Sequence, residues 1–332
     1  MKKGLLLFAV AAMIAVSCQK DESFDGPALV DLYGDFAVLV DLDISDREVD
    51  FAAGEQTHFT CAFSKNVEWD LEIKGLTTGA VKHITGFGSA LDATSATWNG
   101  TTTSLPMFRE EECAVALIIP SVQDTLRDTL TVLSGRVNTG LLLSDFEDGL
   151  NPGWVPFIQS GANMNFGILN AEQAAQGQRY YNMAGQVNWD WLIGMFDMPG
   201  SAYGATHFAL NDNPDVVYFN TFLYKPEEYN NGLVLFQFRE DDNEDGIYST
   251  GTEDMYSIQV QATQAGWQQI TSKYADLATL VNGSPSAAIG NGLHEPHKLI
   301  QVSVLFLANP TSGYAESKLD YMIFTENAPL IP

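Results

Sequence analysis

Basic residues are scarce in this chain of 332 residues. Lysine and arginine number 16 against 42 aspartates and glutamates, so the formal net charge is −26 at neutral pH. A chain this acidic repels phosphate backbones, which argues against nucleic acid as a partner and favours a neutral ligand. Beyond its first residues, the chain also lacks an apolar run long enough to cross a bilayer as a helix.

Local signatures of catalysis are missing as well. Among the 5 histidines, His294 and His297 lack the i, i+4 spacing of a zinc-protease helix, and Pro296 would break such a helix. No Gly-x-Ser-x-Gly elbow occurs in the sequence. We therefore expect a protein that is not an enzyme. The alternative is a polysaccharide hydrolase or lyase that uses paired carboxylates from distant parts of the chain.

The N-terminus has the form of an export signal. A basic start is followed by an apolar run from Gly4 to Val16, roughly the length of a signal-peptide core. Small residues then lead into Cys18, and this pattern resembles the lipobox of bacterial lipoproteins. The resemblance implies that residues 1–17 are removed and that Cys18 is lipidated. An ordinary secretory signal with a chance cysteine is the alternative.

The residues after this cysteine indicate a destination. Gln19-Lys20-Asp21-Glu22 resembles the acidic export signal that sends lipoproteins of polysaccharide-foraging Gram-negative bacteria to the outer face of the outer membrane. The resemblance implies an outer-membrane protein that is anchored by lipid and faces the cell exterior, with residues 18–27 as its tether. A solvated tether without a sorting role is the alternative.

Strand patterns run through the rest of the chain. Short runs of Val, Ile, Thr, Phe and Tyr alternate with Gly, Asn and Asp turns, and one short helical candidate lies around Ala171 to Gln176. Many short strands separated by turns predict an all-β protein built from sandwiches. We expect a spacer domain at residues 28–137 and a second domain at residues 141–326.

Two cysteines and a tryptophan mark the first of these domains. Cys61, Trp69 and Cys113 occur in an order that resembles the immunoglobulin-like sandwich, where a buried Trp packs on an inter-sheet disulfide. The resemblance implies an N-terminal immunoglobulin-like β-sandwich. An oxidising compartment would allow Cys61 and Cys113 to pair, and two separate buried thiols are the alternative.

The two ends of the second domain carry its most informative motifs. It opens with "LLLSDFEDG" and closes with "SKLDYMIFTE". This pair of ends resembles the galactose-binding-like jelly roll of many carbohydrate-binding modules, in which the first and last strands lie close together. The resemblance implies a C-terminal jelly-roll β-sandwich that binds glycan and holds a structural Ca²⁺ near its terminal strands.

Several predicted strands of the second domain carry polar side chains at alternate positions. Side chains alternate between the two faces of a strand, so these positions share one face of each strand. Amide, Arg, Asp and Tyr side chains supply both donors and acceptors, as sugar hydroxyls require. A plain solvent-facing side of a sheet is the alternative. The candidate glycan-binding residues are Asn188, Asp190, Tyr218, Asn220, Tyr224, Gln237, Arg239, Gln259 and Gln301.

Aromatic residues of this domain fall into two predicted groups. Alternation places Trp189 and Trp191 on one face with Val187 and Ile193, so we expect at least one of the two to pack in the core. Aromatic residues near turns are the other candidates for contact with sugar rings, and the alternative is that several of them cap the core. This second group consists of Trp154, Tyr180, Tyr181, Tyr203 and Tyr229.

The acidic segment "REDDNEDGIYSTGTED" is the strongest metal candidate. Asp241, Asn243 and Asp245 match the first half of a calcium loop. Thr252 then stands where an EF-hand has its last glutamate, so the segment is either a hairpin loop that binds Ca²⁺ or a solvated acidic turn. The alternative ligands, near the ends of the second domain, are Asp145, Glu147 and Asp320.

These observations together predict a cell-surface lipoprotein that captures polysaccharide for uptake without cleaving it. The chain resembles the surface glycan-binding lipoproteins of polysaccharide-utilisation systems, which work beside a TonB-dependent transporter. That resemblance implies a transporter complex as a partner in addition to the glycan. The competing interpretation is an outer-membrane adhesin or assembly protein whose apolar loops meet a protein partner.

Overall fold

The computed structural model describes residues 34–332 except 171–173 and 262–263. The signal peptide, the lipidation site at Cys18 and the tether lie outside the described residues. Of the short helix expected around Ala171 to Gln176, only residues 174–176 are described, and they are irregular.

Nearly all regular structure in the described residues is β-strand. The helices found there are short 3₁₀ segments at Gly200–Tyr203, Tyr274–Asp276 and Pro296–Lys298. Within this part of the chain, no helix combines the length and the hydropathy that crossing a bilayer requires. The prediction of an all-β protein is confirmed.

Strands of the N-terminal part form one 7-stranded sheet in the order β1-β3-β6-β7-β2, with β4 and β5 also paired to β3. Buried and more exposed side chains alternate along much of β3, because one face of this 19-residue strand covers an apolar core. The strands are β1 Val38–Ile44, β2 Glu48–Asp50, β3 Thr57–Gly75, β4 Val81–Leu91, β5 Thr97–Trp98, β6 Glu111–Ile119 and β7 Asp124–Ser134. The immunoglobulin-like assignment stays a prediction.

Both cysteines in the described part of the chain are free and buried. The strand register places Cys113 opposite Gly75, at the far end of β3 from Cys61, which lies opposite Leu91 of β4. The structure therefore contradicts the disulfide between Cys61 and Cys113 and agrees with the alternative, two separate buried thiols. Burial raises the pKa of Cys61 to about 11 and that of Cys113 to about 12.

Strands of the C-terminal part pair only among themselves in the described residues. They are β8 Leu141–Ser144, β9 Val155–Ile158, β10 Ala162–Asn170, β11 Arg179–Gln186, β12 Leu192–Pro199, β13 Val217–Lys225, β14 Gly232–Glu240, β15 Met255–Val260, β16 Gly266–Lys273, β17 Leu280–Val281, β18 Ser284–Pro285, β19 Leu299–Ala308 and β20 Ala315–Glu326. A 6-stranded sheet has the order β10-β11-β20-β13-β16 with β8 on β20, and a 5-stranded sheet has the order β15-β14-β19-β12-β9. The first and last of these strands, β8 and β20, are antiparallel neighbours.

An aromatic core joins the two sheets into a sandwich. Phe219 of β13 lies 5.2 Å from Phe236 of β14 and 5.4 Å from Phe324 of β20, measured between ring centroids. All three rings are buried, and burial of each contributes about 1.5–3 kcal/mol to stability. Alternation along β14 sends Phe236 and its neighbours at two-residue spacing into this core, which leaves the intervening side chains on the outer face.

The outer face of the six-stranded sheet is covered from within the molecule. Phe222 of β13 and Tyr321 of β20 stack at 5.7 Å and form a buried cluster with Met107 and Leu330. Met107 belongs to the N-terminal part, and its backbone N–H donates to the carbonyl of Ala175 at 2.7 Å. The five-stranded sheet is different, because its outer face carries open depressions.

Candidate functional site

Predicted binding residues gather on the outer face of the five-stranded sheet. The side chains of Phe236 and Phe238 are buried in the core, so those of Gln237 and Arg239 point to the opposite side of β14. Both of these polar side chains are partly exposed.

The register of the neighbouring strands adds further polar groups to this face. Gln301 of β19 lies opposite Arg239 of β14, and Gln259 of β15 lies opposite Leu235. Residues directly opposite each other in an antiparallel pair share a face. The predicted residues that the fold brings onto one surface are therefore Gln237, Arg239, Gln259 and Gln301.

Depressions follow one another along β14 on this surface. The central one has a volume of ≈ 660 Å³ and lies over Leu235 and Gln237. Others of ≈ 500 Å³ and ≈ 420 Å³ lie at Arg239 and at Gly232. A strand rises about 3.3 Å per residue, so the stretch from Leu233 to Arg239 is roughly 20 Å long. We call this surface the groove, and it is lined by Trp191, Leu235, Gln237, Arg239, Gln259 and Gln301.

Part of the groove floor is already fixed by hydrogen bonds within the protein. The Ser303 hydroxyl donates to Asp197 Oδ1 at 2.5 Å, and Gln301 Nε2 donates to Ser303 Oγ at 3.0 Å. A side chain that is held before a ligand arrives loses less conformational entropy on binding. The floor is therefore preorganised at its centre.

Arg239 has a buried donor without a protein partner in the described part of the chain, at one end of the groove. Its guanidinium lies 5.4 Å from the ring centroid of Tyr248, which positions the group by a cation–π contact. The Nε atom is buried and has no hydrogen-bond partner among the described residues. Buried donors are almost always paired, so this unpaired Nε at the end of the groove is an exception.

Two exposed tryptophans correct the expectation of core packing. Trp189 is 62% exposed and Trp191 is 54% exposed, whereas Val187 and Ile193 are buried. The reason is that residues 187–191 are irregular rather than a strand, so two-residue alternation does not apply to them. Trp191 lines the groove at the central depression.

Phe157 is an exposed aromatic residue that the sequence reasoning missed. It is 47% exposed and lies opposite Met195 in the register of β9 and β12. The next residue of β12, Phe196, is buried in the core, so Met195 and Phe157 face outward beside the groove. Phe157 lies in the four-residue strand β9, with the sequence "VPFI". A strand this short has too few alternating positions to show which side chains point outward.

The aromatic residues expected on loops are largely internal. Trp154, Tyr180 and Tyr181 are buried, and Tyr203 and Tyr229 are partly buried. The Tyr203 hydroxyl donates to the carbonyl of Leu143 at 3.0 Å and accepts from Trp154 Nε1 at 3.1 Å. Trp154, Tyr181 and Tyr203 pack in or against the core of the sandwich, whereas Tyr180 packs against Trp267 and Tyr229 against Tyr314. The prediction of contact with sugar was wrong for the three buried side chains.

Three of the predicted binding residues lie on the other sheet. Tyr218, Asn220 and Tyr224 belong to β13, in the six-stranded sheet. Asn220 is fully buried, and its Oδ1 accepts from the Leu330 backbone N–H at 3.1 Å. Tyr224 lies under the Lys318 ammonium at 4.5 Å. These residues therefore lie apart from the groove. The sequence did not show this, because two-residue alternation identifies the side of a strand on which a residue lies but not the sheet to which the strand belongs.

The two candidates from the loop before β12 have different positions. Asp190 lines the central depression, and its Oδ2 accepts from Gln159 Nε2 at 3.3 Å. Asn188 is exposed and accepts from Gln186 Nε2 at 2.9 Å. Asp190 therefore belongs to the groove, and Asn188 lies outside its lining.

The predicted calcium ligands of the acidic loop hold the loop itself. Asp241 is fully buried, and its Oδ2 lies 2.8 Å from His207 Nε2 and accepts from the Gly246 N–H at 2.8 Å. Burial acts to raise the pKa of Asp241, but these donors outweigh it and lower the pKa. Asn243 Oδ1 accepts from the Asp245 N–H at 2.8 Å. Calcium binding by Asp241, Asn243 and Asp245 stays a prediction.

One of the alternative ligands near the terminal strands, Asp320, has a buried carboxyl group. Asp320 is fully buried, and burial raises its pKa well above the usual range, with the charge of Glu147 adding to the effect. Asp320 Oδ1 and Gln176 Oε1 are buried without a partner in the part of the chain that the structure describes. Asp320 and Glu147 both accept from the backbone of residues 176–179. Calcium held by Asp145, Glu147 and Asp320 stays a prediction.

Comparison with known proteins gives only distant likenesses. No protein-family model and no curated protein matches the chain. A family 11 carbohydrate-binding module from Clostridium thermocellum, solved with a mixed-linked tetrasaccharide, is 14% identical with a TM-score of 0.38, over 58% of this chain and 100% of that chain. SGBP-B from a xyloglucan utilization locus in Bacteroides uniformis is 10% identical with a TM-score of 0.34, over 88% and 73%. Such low identities and TM-scores do not identify a function. A proposal about function therefore has to rest on the chemistry of the groove.

Proposed function

We propose that this chain is a non-catalytic glycan-binding protein whose groove holds a segment of polysaccharide. The observation that carries the proposal is the unpartnered Arg239 Nε in a groove that also exposes Trp191. A sugar ring presents hydroxyls to such polar groups and a C–H face to an indole ring. Gln237 and Gln259 add amides, which both donate and accept hydrogen bonds.

The length of the groove supports a polymeric ligand. Its depressions follow β14 from Gly232 to Arg239 rather than closing around one compact cavity. A surface roughly 20 Å long along a strand accommodates several consecutive sugar units. An extended ligand also explains why polar groups are spread along the floor instead of converging on one point.

The charge of the groove supports a neutral glycan. Arg239 lies at one end, while Asp190 and Asp197 lie on the same face, in a chain whose net charge is −26. An anionic polymer would be repelled by the molecule as a whole at moderate ionic strength. A neutral polyhydroxylated chain avoids this cost and can accept from Arg239 while donating to the two carboxylates.

The cellular setting of the proposal rests on the N-terminal motif. Lipidation of Cys18 would anchor the protein on the outer membrane, facing outward. Many copies on one surface would bind a polymer with an avidity above the affinity of a single groove. Capture for uptake beside a TonB-dependent transporter completes the proposal.

Native electrophoresis through gels that contain a panel of neutral and anionic polysaccharides tests the proposal. The chain from Gln19 onward, which includes every described residue, should be retarded by at least one neutral polymer. Free migration in every gel would contradict glycan binding. The eluted polymer should keep its chain length, whereas shortened products would show an enzyme.

An exposed edge strand favours a second candidate, binding of a protein partner. β9 is at the edge of the five-stranded sheet, and Val155, Phe157 and Ile158 are 59%, 47% and 43% exposed. Exposed apolar edges can pair with a strand of another protein. An adhesin or assembly role predicts that Val155→Lys abolishes a protein interaction and leaves polysaccharide retardation unchanged.

A further inference from the structure

A cluster of three acidic side chains lies next to one end of the groove, apart from the predicted metal ligands. It consists of Glu240 at the end of β14, Asp242 in the acidic loop and Glu295 before the last 3₁₀ helix. Each contributes a carboxylate oxygen, and these oxygens lie within 4.8 Å of one another. Acidic clusters are common without a ligand, so the state of the individual oxygens decides whether this one is a site.

Glu240 has an oxygen that is buried and unsatisfied. The residue has no exposed surface, and its Oε1 accepts from the Tyr274 hydroxyl and from the Glu295 backbone N–H, both at 2.8 Å. Oε2, in contrast, finds no donor within the described ranges. A buried carboxylate oxygen without a partner is costly, so a ligand at this position is expected.

Asp242 also has a carboxylate oxygen without a partner in the ranges that the structure describes. Its Oδ2 accepts from the backbone N–H groups of Asp254 at 3.2 Å and Asn291 at 3.1 Å. Its Oδ1 is buried and receives no hydrogen bond from the residues that the structure covers. A Cβ added at Gly290 would overlap the Asp242 carboxylate, so the backbone closes tightly around this group.

The charges around the cluster leave it negative. Lys298 Nζ lies 3.0 Å from Glu295 Oε1 and 3.4 Å from Glu244 Oε1. Of the three residues in the cluster, Lys298 forms an ion pair with Glu295. Burial raises the pKa of Glu240 to about 8, with the charges of Asp242 and Glu295 adding to the effect. The cluster thus contains three carboxyl groups, and one ammonium group lies beside it.

We infer that Glu240, Asp242 and Glu295 form a binding site for a divalent cation, with Ca²⁺ as the expected ion. Carboxylate oxygens are the ligands that Ca²⁺ prefers, and water can complete its coordination at the partly exposed side. The ion supplies the partner that Glu240 Oε2 and Asp242 Oδ1 lack. This site is distinct from the set at Asp241, Asn243 and Asp245, whose oxygens serve the loop backbone.

The cation would join two segments that border the groove. Asp242 and Asp254 accept from backbone N–H groups of residues 290–292, which follow the β17–β18 hairpin. The acidic loop carries Tyr248, and the hairpin turn carries Asn282, and both residues line the groove. On the proposed function, removal of the ion loosens this end and weakens glycan binding.

The decisive experiment measures the melting temperature of the chain from Gln19 onward, with Ca²⁺ and with a chelator. Calcium should raise the melting temperature by several degrees, and Asp242→Asn and Glu240→Gln should each abolish that rise. Glu228→Gln is the control, because it removes the charge of an exposed side chain outside the cluster; it should keep the rise. Because this assay contains no glycan, its failure is distinguishable from failure of the proposed function.

Two results would overturn the inference. One is a melting temperature that calcium leaves unchanged in the wild-type chain between pH 5 and pH 8. The other is a calcium-induced rise that persists in Asp242→Asn, which would place the ion elsewhere, with Asp320 as the next candidate. If Glu240→Gln does not fold, Asp242→Asn alone decides.

Discussion

The two sheets of the C-terminal sandwich share one core but differ in what meets their outer faces. On the six-stranded sheet, Phe222 and Tyr321 are covered by Met107 and Leu330. On the five-stranded sheet, the outer side chains of β14 line open depressions. The comparison shows that alternation marks an outer face on both sheets, whereas coverage by the rest of the chain decides which face is available to a ligand.

The largest effect is expected from a polar residue on the covered face. Asn220 accepts from Leu330 N–H and from the Thr271 hydroxyl at 2.9 Å, and it donates to Thr325 Oγ1 at 3.0 Å. Asn220→Ala leaves these buried groups unpaired and should lower the free energy of unfolding by about 3 kcal/mol. Urea titration measures this loss. The folded variant should bind glycan normally, and a weaker affinity would break the distinction between the faces.

A pair of tryptophans tests the open face. Trp191→Ala removes an aromatic anchor from the groove and should weaken glycan binding by about 2 kcal/mol, roughly 30-fold, measured by calorimetric titration. Trp189→Ala is the matched control, because Trp189 is equally exposed but is not in the lining of the depressions. Equal losses in the two variants would contradict the position of the groove.

The guanidinium at the end of the groove should have an intermediate effect. Arg239→Gln removes the unpartnered donor and should weaken binding by about 1.4 kcal/mol, close to tenfold. Arg239→Lys keeps the charge but lacks the planar Nε–H, so it should not restore the affinity. Full rescue by lysine would show that charge, rather than a directed hydrogen bond, is what the ligand requires.

The smallest effects are expected from two glutamines, one on the covered face of the six-stranded sheet and one in the groove. Gln269 on the covered face donates to the Leu330 carbonyl at 2.8 Å, whereas Gln259 lines the groove. Gln269→Ala should lower stability by about 1 kcal/mol without changing affinity, and Gln259→Ala should weaken binding by about 1 kcal/mol without changing stability. Thermal melts and titrations of both variants give the four values. A loss of affinity in Gln269→Ala together with a loss of stability in Gln259→Ala would contradict the assignment of the covered and open faces.

The sequence was sufficient for the residues on β14, β15 and β19. Alternation in Gln237 and Arg239, with Gln259 and Gln301 on neighbouring strands, was enough to place these side chains outward. Alternation was not enough to predict the position of Asn220, because no local pattern shows that β13 belongs to the six-stranded sheet. Trp191 was misplaced because a strand rule was applied to an irregular segment.

The metal candidates show the same limit. The acidic loop was found from its composition, but the roles of its oxygens depend on contacts with distant segments. Asp241 meets His207, and Asp242 meets Glu295, which is far away in the chain. A spacing motif within one loop contains no information about either partner.

Hydrogen–deuterium exchange with and without a retarding polysaccharide tests the central claim most directly. If the groove binds glycan, protection should increase in the loop at residues 187–191, in β14 and β15, and in the β17–β18 hairpin. β13 and β16 of the six-stranded sheet should exchange as before. Protection confined to β13 and β16, or to the β9 edge, would contradict the account.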